Sequence, residues 1–341
     1  MLPLIGQMLG GLALLLVGGR LLVSASVDTA RRLSVSELVV GLTLVAWGTS
    51  APEMALNLVS SIKGRGELAL GNVVGANICN MALVLGLCAL IRPLAVQVRL
   101  IRVETLLNAV ILVFMSVIGL TAGFARWEMG LMLGIFGGYS VWTIMSALQT
   151  PQVVPTASMT EGEKKEAIAI SKLDDDPTVP AGSPPMGWVL IFACFGGGLA
   201  LLSWGGSLAS DSASAMAIRL GVPAAVVGVT IVSIGTTLPE MVTGVLAVLK
   251  GQSDLAMGNA IGSCLFNAGA IFGLTGLIAP PAVNGAMIAP LIYMGLLAIA
   301  LVPISRTHGH TVARGEGAAL LASYVVFLII SAFQAGGATA P

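Results

Sequence analysis

Two glutamates, Glu53 and Glu240, stand in near-identical settings inside long apolar stretches. One closes the segment Gly48-Thr49-Ser50-Ala51-Pro52-Glu53 and the other closes Gly235-Thr236-Thr237-Leu238-Pro239-Glu240. An acidic side chain at the centre of a bilayer costs about 2.5–3.5 kcal/mol even on insertion scales, so its default explanation is functional. Thr49 and Glu53 are four residues apart, as are Thr236 and Glu240, which sets each pair on one helix face. Each proline removes a backbone donor and clashes with the carbonyl four residues back, at Gly48 or Gly235. A kink is therefore predicted at both places, with backbone oxygens near Ala46 and Ser233 becoming available to a cation. Further on, the segments Gly71-Asn72-Val73-Val74-Gly75-Ala76-Asn77-Ile78-Cys79-Asn80 and Gly258-Asn259-Ala260-Ile261-Gly262-Ser263-Cys264-Leu265-Phe266-Asn267 bring the neutral amide oxygens of Asn80 and Asn267. Asn72 and Asn259 fall near the expected helix starts and are assigned to capping or end packing. Carboxylate, amide, hydroxyl and carbonyl oxygens, without sulfur or imidazole, make a hard-cation site suited to calcium, sodium or magnesium rather than copper or zinc. Two carboxylates balance one divalent ion, two monovalent ions or two protons. That shared balance is a physical basis for exchange.

The elements that must position these residues follow from composition. The chain is 56% hydrophobic and 9% charged, with a net charge of zero and 43 glycines. A soluble protein would be about 25% charged, whereas glycine is common where membrane helices pack closely. Nothing in the charge balance suggests a nucleic-acid partner. Apolar runs long enough to cross a roughly 30 Å hydrocarbon core recur at 3–24, 36–61, 67–91, 103–122, 128–148, 187–210, 223–249, 255–278, 284–304 and 317–335. They are continuous rather than alternating, so helices are expected and not barrel strands. The first run lacks a positive start, and its Gly-Gly-Leu-Ala-Leu-Leu stretch returns at 197–202, so it is read as a span and not a signal peptide.

Self-similarity organises these spans. Residues 39–80 and 226–267 align without a gap, with 18 of 42 positions identical, and the same offset superposes the two Gly-Gly-Leu-Ala-Leu-Leu stretches. The expectation is an all-α membrane protein of ten transmembrane helices in two five-helix repeats, 1–148 and 187–341, joined by a linker at 149–186. Five is odd, so the second repeat enters the membrane from the opposite side. Inverted-topology repeats of this kind are found in many secondary transporters, with the substrate site near the midplane between them. Lys63, Arg65, Arg126 and Arg219 fall on the N-terminal side, against about eleven basic residues on the other. The positive-inside rule then puts both termini outside and the 149–186 loop in the cytoplasm of a cell (inner) membrane. Cys79, Cys88, Cys194 and Cys264 lie in apolar runs and are read as small core residues, and His308 and His310 as a surface loop.

At these residues the chain resembles the calcium/cation antiporter superfamily, in particular its compact prokaryotic sodium/calcium exchangers. Both repeats are similar to that family's alpha-repeat pattern, G-T-S-x-P-E followed by G-N-x-x-G-S-x-x-x-N/D. The resemblance implies alternating access at a midplane site, with calcium and sodium as transported ions, no cofactor, and a monomer sufficient for transport in the lipid bilayer. It implies that Glu53 and Glu240 are the central calcium ligands and contribute to the sodium sites. Thr49, Ser50, Thr236, Thr237 and Ser263 would supply sodium-site oxygens, Asn80 and Asn267 would line the centre, and the Ala46 and Ser233 carbonyls would assist. The glycine pairs 10–11, 18–19, 197–198 and 205–206 would give the first and sixth helices a smooth sliding face.

Two positions depart from the pattern. Ala76 replaces the usual serine while its mate Ser263 remains, and Asn267 stands where several exchangers carry aspartate. A site of charge −2 is neutral with one calcium or two sodium ions, which argues against a three-sodium stoichiometry. Proton-coupled calcium exchange is the nearest alternative reading, and a cation channel a more distant one. Neither a nucleophile–base pair nor a phosphate-binding loop points to an enzyme.

Overall fold

The computed structural model describes residues 1–97, 103–121, 123–149, 185–220 and 233–337. The 149–186 linker, apart from its ends, lies outside the described residues, as do Arg99, Arg102 and residues 221–232, where the expected span 223–249 begins. Within the described residues the chain is helical, with one two-residue antiparallel ladder pairing β1 (Leu94–Ala95) with β2 (Thr311–Val312).

The helices are α1 (Leu2–Leu33), α2 (Glu37–Thr49), α3 (Ala51–Ile62), α4 (Gly66–Ile91), α5 (Thr105–Thr121) and α6 (Arg126–Gln149) in the first half. The second half contains α7 (Trp188–Arg219), a short turn α8 (Ser233–Thr236), α9 (Leu238–Leu249), α10 (Ser253–Ile278), α11 (Ile288–Ile304) and α12 (Arg314–Gly337). Among the described residues seven helices are long and apolar enough to cross a membrane, and α2 with α3 makes a further such stretch bent by 47°. The chain is a multi-pass membrane protein.

Burial sorts these helices into a centre and a shell. The apolar window of α10 is 83% buried and that of α4 72%, against 28% for α7 and 22% for α12. The two helices that carry the Gly-Asn motifs are thus the core, and the shell turns leucine, valine and isoleucine outward, as at Leu9, Leu16, Val189 and Leu296. In lipid, outward apolar side chains need no partner, because the tails are as apolar as they are.

The first and sixth apolar runs end later than expected. Instead of 3–24 and 187–210, α1 and α7 each run for 32 residues. At 1.5 Å per residue such a helix is about 48 Å long and outreaches a 30 Å hydrocarbon core. Hydropathy marks only the apolar part, whereas the backbone ladder continues through polar residues such as Asp28, Arg31 and Arg32. The helix stops at Ser34, which takes a left-handed conformation (φ 53°), with Arg31 and Arg32 set against the negative end of the helix dipole.

Glycine decides how closely α1 and α7 meet. A Cβ on Gly18 would lie 2.8 Å from the Gly198 carbonyl oxygen, and one on Gly205 would lie 2.7 Å from the Gly11 oxygen. Only hydrogen fits between the two backbones at these crossings. At one end the pair is also tied by polar contacts. Arg32 donates to the carbonyls of Pro185 and Met186 and lies over the Trp188 ring, while the Met186 N–H donates to Asp28 Oδ2 at 3.3 Å.

Candidate functional site

The proline motifs break their helices as expected. Between α2 and α3, Ser50 leaves helical geometry (φ −87°, ψ 7°), and between α8 and α9 Thr237 does the same (φ −90°, ψ 1°). Each break starts a new helix whose third residue is the glutamate. There the free N–H groups and the positive end of the helix dipole offset part of the cost of a buried negative charge. Glu53 is 3% exposed and Glu240 1%.

The two breaks meet. The Ser50 hydroxyl, from the first motif, donates to Glu240 Oε1, from the second, at 3.0 Å. The single Thr49 hydroxyl proton is within reach of both the Ala46 carbonyl and Asn259 Oδ1, each at 3.4 Å, and Asn259 Nδ2 donates to the Glu240 carbonyl at 3.4 Å. The Ala46 carbonyl also accepts the Ser50 N–H at 3.1 Å, so its two lone pairs already face two donors. Of Ser233, only its place at the start of α8 is described.

A second pair of backbone irregularities frames the centre. Cys79–Val84 in α4 and Phe266–Ile271 in α10 are π-helical turns, and they occupy matching positions of the two repeated sequences. The extra residue re-aims the side chains at the start of each turn, which is why π-bulges recur at functional sites. Asn80 and Asn267 sit on these turns, each 1% exposed. The turn bearing Asn80 packs against α9, the Glu240 helix, and the one bearing Asn267 packs against α3, the Glu53 helix. On one side, Trp47 and Phe136 close over Phe266 at ring separations of 6.0 and 5.7 Å, an apolar wall next to Asn267.

The oxygens gathered here are conspicuously short of partners. Glu53 Oε2, Glu240 Oε2, Asn267 Oδ1, Ser263 Oγ and both amide atoms of Asn80 are buried without a protein hydrogen bond. Buried polar groups are bonded in the large majority of cases, and exceptions call for an ion, water or proton. Thr237 is buried and Thr236 half-buried beside the second break. Among the described residues no three or more His, Cys, Asp or Glu side chains are grouped so as to hold a metal ion between them. The donor set is therefore two carboxylates among neutral oxygens, hard in character and fit for an alkali or alkaline-earth cation.

Asn57 and Asn77, given no role by the sequence, and Asn259, assigned there to capping or end packing, belong to this environment. Asn259 is the seventh residue of its helix, fully buried and bonded to both Thr49 and Glu240, so it is no cap. Asn72 likewise lies well inside α4 and caps nothing. The helix starts were expected at 67 and 255 and fall at 66 and 253, yet even the expected starts leave both asparagines beyond the capping turn. The invariance of Gly-Asn between the repeats was the available signal. Asn77 is fully buried with both amide atoms unpartnered, and Asn57 donates Nδ2 to the Glu53 carbonyl at 2.7 Å.

Glycine again sets the spacing. Cβ atoms on Gly258 and Gly262 would each come within 2.7 Å of a carbonyl oxygen of α2, at Leu38 and Leu42. This close crossing brings Asn259 against Thr49. Among the cysteines, Cys79, Cys88 and Cys264 are buried and Cys194 only half so, and none of the four is in a disulfide. His308 and His310 are exposed, as expected of a loop.

A sequence profile of the sodium/calcium exchanger protein family matches residues 3–145 and 190–333. CaxA of Alkalimonas amylolytica is 32% identical, over 92% of this chain and 94% of its own length. The sodium/calcium exchanger MaX1 of Methanosarcina acetivorans is 29% identical, over 94% and 96%. Among solved structures, the sodium-calcium exchanger NCX_Mj soaked with zero Na⁺ and Ca²⁺ superposes with a TM-score of 0.78 at 27% identity, covering 96% of this chain and 99% of that one.

Proposed function

The chain belongs to the sodium/calcium exchanger protein family, and from that premise we propose that it exchanges Ca²⁺ for Na⁺ by alternating access at the site centred on Glu53 and Glu240. The observation that carries this reading is the Ser50–Glu240 hydrogen bond, which joins the two repeated motifs into one buried cluster. A site made of matching halves presents the same oxygens to either membrane face in turn, and loading with Ca²⁺ or with Na⁺ satisfies the same two charges. Thr49, Ser50, Thr236, Thr237 and Ser263 supply hydroxyl oxygens to the ions, Asn80 and Asn267 amide oxygens, and Ala46 and Ser233 carbonyl oxygens.

The architecture that goes with this function is ten spans in two inverted five-helix repeats, 1–148 and 187–341, with a cytoplasmic linker and both termini outside an inner membrane. The long helices, the bent α2–α3 pair and the shorter apolar helices α5 and α9 support that count. The matched π-turns support the repeat. One chain contains the whole cluster, so a monomer suffices.

With Asn267 and Ala76 in place, the site holds two carboxylates and charge −2. One Ca²⁺ or two Na⁺ neutralise it, and the exchange is therefore electroneutral. The same two substitutions favour protons as the alternative coupling ion, because they remove sodium ligands and leave both carboxylates. The deciding experiment measures calcium flux in reconstituted vesicles under sodium, potassium and pH gradients imposed one at a time. Uptake driven by sodium and absent in Glu53→Gln/Glu240→Gln is expected. Uptake driven by the pH gradient and indifferent to sodium would replace sodium by protons, and single-channel currents would replace exchange by conduction.

A further inference from the structure

A cleft of about 320 Å³ opens beside Glu53, and its lining includes Thr236 together with Ser203, Ser207, Ser210 and Asp211 of α7. The three serines are spaced by four and three residues and so form one stripe along the helix. Asp211 follows at their end, about 12 Å along the axis from Ser203 at 1.5 Å per residue. Asp211 is exposed and has no ion-pair partner among the described residues. Glu53, in the same lining, is buried with Oε2 unpartnered. Ser210 closes in on the second break, since a Cβ on Gly235 would fall 2.0 Å from its hydroxyl oxygen.

Four hydroxyl and carboxyl groups on one stripe of a membrane helix are costly against lipid and useful against water. The repeat shows that the stripe is not a by-product of the fold. At the offset that carries Val39 to Val226, the counterparts of Ser203, Ser207, Ser210 and Asp211 in α1 are Leu16, Arg20, Val23 and Ser24. Two are apolar and one is cationic, so the first half lacks any equivalent. In an inverted repeat, a stripe present in one half alone would open to one membrane face only.

We propose that Asp211 is a mouth carboxylate that draws divalent cations into this cleft, and that Ser203, Ser207 and Ser210 form a ladder of hydroxyls along which they pass to Glu53. The inference rests on the exchange reading of the Glu53–Glu240 site. A fixed negative charge in a narrow cleft with low-dielectric walls raises the local cation concentration, more for a divalent than a monovalent ion, and salt screens the effect. Asp211 therefore sets apparent affinity at one membrane face and leaves the turnover of the loaded site alone.

The test uses the full-length protein in right-side-out and inverted membrane vesicles. Asp211→Asn is expected to raise half-saturating Ca²⁺ about three- to tenfold at low ionic strength on one face only, with the shift shrinking in high salt and the maximal rate unchanged. Asp211→Glu restores the original value. In a Cys194→Ala background, Ser207→Cys is expected to be blocked by a membrane-impermeant cationic thiol reagent from that same face. Half-saturation unchanged on both faces, an equal shift on both faces, or a modified Ser207→Cys that transports normally overturns the proposal. Persistence of exchange in Glu53→Gln/Glu240→Gln would instead overturn the underlying site assignment, so the two failures are distinguishable.

Discussion

Ser50 donates its hydroxyl to one Glu240 oxygen while the other is buried without a partner, so the carboxylate is held in place and still has a ligand position to offer. Hydrogen bonds to charged groups are worth roughly 1.5–3 kcal/mol. On the proposed reading, Ser50→Ala therefore weakens calcium binding about tenfold or more, measured as the half-saturating concentration in radioactive calcium uptake. Asn259 offers a sharper check because its role came from the fold and not from the motif. Its contacts to Glu240 and Thr49 are neutral, so Asn259→Ala is expected to cost about two- to tenfold in the same assay. Asn72→Ala, the equivalent change in the other repeat, stays within about twofold if its half-buried side chain holds nothing comparable. Equal losses from the two variants would mean that Asn259 acts only in packing.

At the scale of elements, the site depends on two helix breaks and two close crossings. The α2–α10 crossing admits no side chain at Gly262, where a Cβ would sit 2.7 Å from the Leu42 carbonyl and 2.9 Å from the Ala46 Cβ. Overpacking of this kind costs about 1–3 kcal/mol, and here it also pushes on the helix that carries Thr49 and Ser50. Gly262→Ala is thus expected to lower the melting temperature in detergent and to reduce flux. Gly71→Ala makes the contrast, since its nearest neighbour would be the Met287 sulfur at 3.9 Å. With room for the methyl group and a gain in helix propensity, that variant should melt at or slightly above the wild-type temperature. The opposite signs test the packing argument with the same chemical change. The Arg32 contacts to residues 185–188 belong to this scale too. Arg32→Ala frees the start of α7 from the end of α1, and thiol labelling of Cys194 should speed up in consequence.

For the whole molecule the governing quantity is the charge of the loaded site. On the proposed reading two glutamates give −2, matched by one Ca²⁺ or by two Na⁺, and such an electroneutral cycle would ignore membrane potential. Asn267→Asp adds a third carboxylate on the π-turn beside the Glu53 helix. Its sodium dependence is expected to steepen, from a Hill slope of about two towards three, and its flux to become voltage-sensitive at roughly 2.3 kcal/mol per net charge per 100 mV. Flux in potential-clamped vesicles, wild type against variant, measures both. A wild-type flux that already follows voltage would show that Asn267 does not set the charge balance.

Much of this was legible in the chain itself. Composition and apolar runs identify a helical membrane protein because a backbone in lipid has few other ways to satisfy its polar groups. The doubled Gly-Thr-x-x-Pro-Glu motif exposes the breaks and both glutamates, since proline acts locally and a buried acid is too costly to be incidental. Other features depended on residues far apart in sequence, and only the tertiary structure decided them. The full length of α1 and α7 exceeds their apolar stretches, because the helix ladder does not end where hydropathy does. The π-turns under Asn80 and Asn267 leave no mark in residue type. The union of the two glutamate motifs through Ser50 and Asn259 rests on glycine crossings whose partners lie some two hundred residues away, a relation that spacing along one helix cannot express.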